Sequence, residues 1–218
     1  MTVARLAERT TSDGVVVRGW RWGAGSAYGV LVHDAGSDCD EWRPALAAFD
    51  PDAAVFVALD LRGHGASDGE WVVERAHLDV EAAVALADDA GAAFRFVVGA
   101  GVGGACALRA ADLRKPDALV LLSPDPDGLE IADLRAPGVP KLVLVGSHDA
   151  RRTEQAAAIA RGSIGWALVA GLPTGDQGTR LLTGSAAAHA QQLIVGFLNE
   201  CRYQSGAEDA VQRGSERP

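Results

Sequence analysis

Three absences narrow the reading of this sequence. It holds only three cysteines, Cys39, Cys106 and Cys201, widely spaced and without a C-x-x-C pair, which argues against a disulfide framework or a zinc site and leaves three free thiols. It has no block of lysine or arginine. With 29 acidic against 20 basic residues and a formal charge of -9, it offers no electrostatic footprint for nucleic acid or an anionic membrane. No apolar run approaches the roughly 18 to 20 residues of a membrane span, and Met1 to Thr11 alternate charged and small residues where a secretory signal needs an apolar stretch. A cytoplasmic protein is expected, with no nucleic-acid or membrane partner, no metal and no cofactor.

What is present is enough apolar residue for one sizeable core: 48% of 218 residues. Apolar runs of strand length occur at Val15–Trp22, Tyr28–His33, Ala54–Asp60, Phe94–Gly99, Ala118–Ser123, Lys141–Gly146 and Ile164–Ala170. Between them, Ala, Leu and Val repeat at three- and four-residue steps over Glu41–Phe49, Arg75–Ala90, Gly103–Leu113, Thr153–Arg161 and Ser185–Cys201, the period of helices. The alternation predicts an α/β fold: a mainly parallel twisted sheet with helices on both faces. The turn residues Thr11-Ser12-Asp13-Gly14 predict an antiparallel hairpin at its start. One domain over residues 1–201 is expected, followed by a polar, disordered tail over 202–218.

Five segments carry chemistry. Val30-Leu31-Val32-His33-Asp34-Ala35-Gly36 is a buried strand entering a short loop, and Asp60-Leu61-Arg62-Gly63-His64-Gly65-Ala66-Ser67-Asp68-Gly69 is a glycine-punctuated loop in which Asp60 and Arg62 are expected to pair. Phe96-Val97-Val98-Gly99-Ala100-Gly101-Val102-Gly103-Gly104 is a strand, a sharp turn and a helix start. Leu142-Val143-Leu144-Val145-Gly146-Ser147-His148-Asp149 ends a later strand on an acid, and Gln177-Gly178-Thr179-Arg180-Leu181-Leu182 closes the series.

These segments, in this order, resemble the α/β-hydrolase superfamily over nearly everything from Val15 to Cys201, and in particular its lidless serine aminopeptidase- and lysophospholipase-like branch. The Asp60–Gly69 loop is similar to the D-x-R-G-H-G-x-S-D-G loop of lipase-, peptidase- and epoxide-hydrolase-like members, where it is structural, and His64 is expected to brace it. The resemblance implies the α/β-hydrolase fold. It places the elbow nucleophile at Gly101, the acid at Asp149 and the base at Gln177, with oxyanion-hole positions at Asp34 and Val102. Only 17 residues, Pro124 to Pro140, separate the strands between which the family's lid usually enters, so no lid domain fits.

Two of the three triad positions thus lack their chemistry: glycine has no side chain to attack a carbonyl, and a glutamine amide is neither acid nor base near neutral pH. Asp34 stands where the family has glycine, and a carboxylate beside the hole is expected to repel a developing oxyanion. As substitutes, Cys106 reads as a core residue and His148 and His189 as surface residues; Ser123 and Ser147 are expected to point toward the site side of the sheet, where a serine without a base stays inert, and Asp125-Pro126-Asp127-Gly128 reads as a turn. The expectation is a catalytically degenerate hydrolase whose cleft, floored by Gly99, Gly101, Gly103 and Gly104 and reached by Ser123, is kept for a small ligand or a protein partner. Two alternatives stay open: an ester or amide hydrolase using a non-standard residue, and a dinucleotide-binding oxidoreductase, since Gly99-x-Gly101-x-x-Gly104 also spells a pyrophosphate turn. The bland reading of the same glycines is close packing of a helix on a strand.

Overall fold

The computed structural model describes residues 4–215, with side chains described through residue 206. It contains one eight-stranded sheet in the order β1-β2-β4-β3-β5-β6-β7-β8. The strands are β1 (Arg5–Thr10), β2 (Val16–Gly23), β3 (Ala27–Val32), β4 (Ala54–Leu59), β5 (Phe94–Ala100), β6 (Ala118–Leu122), β7 (Lys141–Gly146) and β8 (Ala167–Leu172). The helices are α1 (His77–Asp89), α2 (Val102–Leu113), α3 (Ala150–Gly162) and α4 (Ala187–Ser215), with 3-10 segments at Cys39–Ala48, Ile131–Asp133 and Gly178–Leu182.

From β3 onward every pairing is parallel, while β1 with β2 and β2 with β4 are antiparallel. The central strands are buried apart from the half-buried Arg95 of β5, as their apolar runs require when both faces are covered. Alternate side chains divide the core. Val30, Val97, Val143 and Val145 meet α1, α2 and α3 through Val80, Leu108 and Ile159 on one face. Leu31, Phe96, Val98 and Leu144 meet the Cys39–Ala48 segment and α4 through Trp42, Ala190, Ile194 and Phe197 on the other. The expected fold class is therefore present, and the β6–β7 connection holds only the single 3-10 turn Ile131–Asp133.

The Thr11–Gly14 turn does open the sheet: Thr11 donates its N–H to Val15 and Gly14 sits at φ 90°. Its first strand is β1, which the apolar pattern missed because Ala7 is the only one of its residues that is buried. The helix expected over Glu41–Phe49 is a 3-10 segment containing Pro44, whose missing N–H and ring disfavour the regular α ladder. Helix α4 runs to Ser215, past Cys201, where the ordered domain was expected to end; Gln204 bonds Glu200 one turn back, and residues 216–218 lie outside the described residues.

The Asp60–Gly69 loop is held differently from expectation. Arg62 does not pair with Asp60. Its guanidinium is buried against Asp79 of α1, with Nη2 2.7 Å and Nε 3.0 Å from Oδ1, and reaches Asp13 of the hairpin turn through Nη1 at 2.8 Å. Asp60 accepts the N–H groups of Cys39 and Ala66, both at 2.7 Å, and so sits back to back with the arginine. His64 braces the loop as expected: its Nε2 accepts the Gly36 N–H at 3.1 Å, and its ring meets Trp71 edge-on.

Candidate functional site

The carboxyl ends of β3, β5, β6 and β7 and the segment after β8 converge on one crest, where an open parallel sheet presents its loops. Gly101 is the apex between β5 and α2, with φ 51° and ψ -122°, a conformation that glycine adopts without the strain a Cβ brings. The carboxylate of Asp34 lies directly over this apex. A Cβ at position 101 would collide with the Asp34 carboxylate carbon and both its oxygens. Where an elbow side chain would stand, the aspartate stands instead.

One oxygen of that carboxylate has two converging donors. The backbone N–H of Ala35, just after β3, and that of Val102, at the first turn of α2, each donate to Asp34 Oδ1 at 2.8 Å. A fixed pair of N–H groups aimed at one oxygen is the arrangement that stabilises an oxyanion, and the start of a helix adds its favourable dipole. The sequence reading expected Asp34 to repel negative charge beside the hole. Its short side chain bonds the next residue's N–H, as aspartates do locally, and also takes the Val102 N–H.

Glu41 sets the position of Asp34, and the sequence reading did not single it out. Its Oε2 accepts the Asp34 N–H and its Oε1 the Thr179 hydroxyl, both at 2.9 Å, tying the β3 loop to the Gly178–Leu182 segment. Beneath, His33 is fully buried. Its Nε2 accepts the Leu61 N–H at 2.9 Å, so Nδ1, 2.8 Å from the Asp34 carbonyl, carries the proton. Burial pushes its pKa below the ordinary histidine value and keeps the ring neutral.

Gln177 turns its amide toward β7. Nε2 donates to the Gly146 carbonyl at 3.0 Å, and Oε1 accepts the Gly146 N–H at 3.3 Å and the Ser123 hydroxyl. Ser123 is buried, holds a left-handed backbone at φ 51°, and accepts the Gly178 N–H at 3.2 Å. Asp149 caps α3 by accepting the Arg152 N–H at 3.0 Å. Gly101, Asp149 and Gln177 therefore follow the ends of β5, β7 and β8 in order, but each is engaged with backbone or with Asp34.

Gly99, Gly103 and Ser123, expected to line an open cleft, are all buried. Gly99 and Gly103 are buried contact points: a Cβ on Gly99 would press on Gly104, and one on Gly103 would strike the His33 carbonyl, so these glycines let α2 pack closely on β5 and β3. That is the bland reading of the pyrophosphate motif, and Asp34 occupies the Val102 N–H at its turn. Cys106 is fully buried, and burial pushes its thiol up to about 12, far from a thiolate at neutral pH. His148 and His189 are exposed, and Ser147 donates its hydroxyl to the Leu172 carbonyl. Asp125 accepts the Asp127 N–H in a turn and pairs with Arg152. No group of three or more metal-binding side chains occurs among the described residues.

A family model described as the alpha/beta hydrolase family matches residues 30–207. The chain belongs to that family. No curated protein matches it in sequence. Among solved structures it is similar to an esterase of Pyrococcus furiosus, at 16% identity and a TM-score of 0.75 over 91% of each chain. It is also similar to the alpha/beta hydrolase GrgF from Penicillium sp. sh18, at 14% identity and a TM-score of 0.73 over 92% of this chain and 99% of that one. A third likeness is alpha/beta hydrolase domain-containing protein 10 from mouse, at 17% identity and 0.72 over 90% and 99%. No helix among the described residues is long and apolar enough to cross a membrane.

Proposed function

We propose that this chain is a catalytically degenerate alpha/beta hydrolase, in which the acyl-transfer site is emptied of nucleophile and base and closed by the protein's own carboxylate. The observation that carries the reading is Asp34 Oδ1, 2.8 Å from both the Ala35 and the Val102 nitrogen and seated over Gly101. Acyl transfer needs a nucleophile, an imidazole to take and return its proton, and a hole open to the developing oxyanion. Gly101 supplies no attacking atom, Gln177 moves no proton, and the two N–H donors already hold an anion. Losing one central member of such a unit costs on the order of 10⁴ to 10⁶ in rate.

The two replacements also fit each other: glycine at 101 leaves the volume that the aspartate at 34 fills. On this reading the crest serves recognition, of a small ligand or of a protein partner, and not turnover. Purified protein assayed with p-nitrophenyl acetate and butyrate between pH 6 and 9 should hydrolyse neither above the rate of an equal amount of heat-denatured chain. A saturable, pH-dependent rate abolished by one point substitution would establish a hydrolase with a non-standard residue instead.

A further inference from the structure

The two edges of the sheet are treated differently. At one end β1 (Arg5–Thr10) carries Arg5, Glu8 and Arg9, with Arg9 paired to Asp89 and Glu8 to Arg18, the charged guard that keeps an edge strand from pairing with another chain. At the other end β8 pairs, among the described residues, only with β7, and no charged residue occurs from Ser163 to Pro173. Around this edge Ile164 is 48% exposed, Trp166 40%, Leu168 44% and Val169 42%. Trp166 packs against Phe197 of α4, with ring centroids 5.4 Å apart, so the apolar strip continues from the strand toward that helix.

We propose that β8 is a homodimer interface, at which two copies of this chain join their sheets through antiparallel β8–β8 pairing. The ladder fixes which groups are available. Lys141 donates its N–H to the Trp166 carbonyl and Ser147 to the Leu172 carbonyl, so even-numbered residues of β8 direct their backbone groups at β7. Alternation leaves the N–H and C=O of Ala167 and Val169 pointing outward. A two-fold axis at Leu168 lets Ala167 of one copy exchange both hydrogen bonds with Val169 of the other.

The same axis sets Leu168 opposite Leu168 and Trp166 opposite Ala170, a large side chain against a small one on the face that carries Phe197. Moving the axis to Val169 sets Trp166 opposite Leu172 instead, whose side chain is already buried. The axis at Leu168 therefore suits the segment better than one at Val169. Its lack of charge lets two chains that each carry -9 approach there without a local repulsion.

Sedimentation equilibrium of the full chain tests this. The unaltered protein should sediment at twice 22.5 kDa, and Leu168→Lys, which sets two like charges face to face on the axis, should sediment as a folded monomer by circular dichroism. Leu168→Cys should form an interchain disulfide under mild oxidation, because opposed residues of a non-hydrogen-bonded pair lie within disulfide reach. Leu6→Cys, exposed on the opposite edge, should not. Any of three results overturns the proposal: a monomer at the highest soluble concentration, a dimer indifferent to Leu168→Lys, or equal cross-linking through Leu6→Cys. A monomer that floats with phosphatidylcholine vesicles and loses that binding in Leu168→Lys would assign the strip to a lipid surface and overturn it equally.

Discussion

Arg62→Met should be among the most destabilising single changes outside the apolar core. The arginine side chain is 4% exposed and that of Asp79 1%, and the pair shares three contacts of 2.7 to 3.1 Å through Nε and Nη2. Removing the cation leaves the Asp79 carboxylate buried without a counter-charge, a loss of about 3 to 5 kcal/mol. Against a net stability of about 5 to 15 kcal/mol, that is a large fraction. Asp13 also loses the arginine, but it keeps Arg75 at 3.7 Å and the Thr11 hydroxyl at 2.6 Å.

The companion change separates charge from shape. Asp79 Oδ2 also accepts the backbone N–H of Arg62 at 2.8 Å, and asparagine keeps that acceptor while removing the charge. Arg62→Met with Asp79→Asn should therefore recover about 2 kcal/mol or more of the single variant's loss. Urea unfolding at pH 7, followed by tryptophan fluorescence with the m value compared across variants, reads both numbers. A single variant that loses under about 1 kcal/mol, or a double variant no more stable than the single, would refute the buried ion pair as the loop's anchor.

Three further outcomes are expected. Lys141 is fully buried and bonds only the carbonyls of Val139 and Ile164, and burial pushes its pKa down to about 8. Below about pH 8 the lysine is charged in both states. Between there and the unfolded value near 10.5 the folded chain alone has released the proton, so stability rises with pH, by up to about 3 kcal/mol at about 1.4 kcal/mol per unit. Burial raises the pKa values of Cys39, Cys106 and Cys201, and these pull the other way in both chains, so the urea midpoint of the unaltered chain minus that of Lys141→Met should rise from pH 7.5 to 10.5; parallel pH curves would contradict it. Gly101→Ala should cost about 1 to 3 kcal/mol through the positive φ and the Asp34 collision, and Asp34→Gly should return part of it in a double-mutant cycle, where strict additivity would deny the contact. Cys106 should react with a thiol reagent no faster than the chain unfolds, and labelling at the rate of an exposed thiol would contradict its burial.

The legible part of the fold was what periodicity carries. Strands β3 to β7 are continuous apolar runs because both faces are covered, and a turn such as Gly99–Gly104 at the end of one reads directly as a crest. Strand β1 was hidden because Arg-Leu-Ala-Glu-Arg-Thr owes its extended form to β2 and not to its own apolar content. At the crest, the glycine at 101 and the glutamine at 177 were readable from the sequence, and so was His64 as a brace. The roles of Asp34, Glu41 and Asp79 were not, because each acts through a partner distant in sequence: Asp34 on Val102, 68 residues on, Glu41 on Thr179, 138 residues on, and Asp79 on Arg62. That Asp34 fills the space a side chain at 101 would take is visible only from their proximity in the fold.

Labelling by a fluorophosphonate probe tests the self-filled crest most directly, with three proteins compared at equal concentration: the unaltered chain, Gly101→Ser with Gln177→His, and the same pair with Asp34→Gly. The unaltered chain should remain unlabelled, the pair should stay dark because the carboxylate still holds the Ala35 and Val102 N–H groups, and label should appear when Asp34 is removed. Label on the unaltered chain, or equal labelling with and without Asp34, would contradict a hole occupied by the protein's own carboxylate.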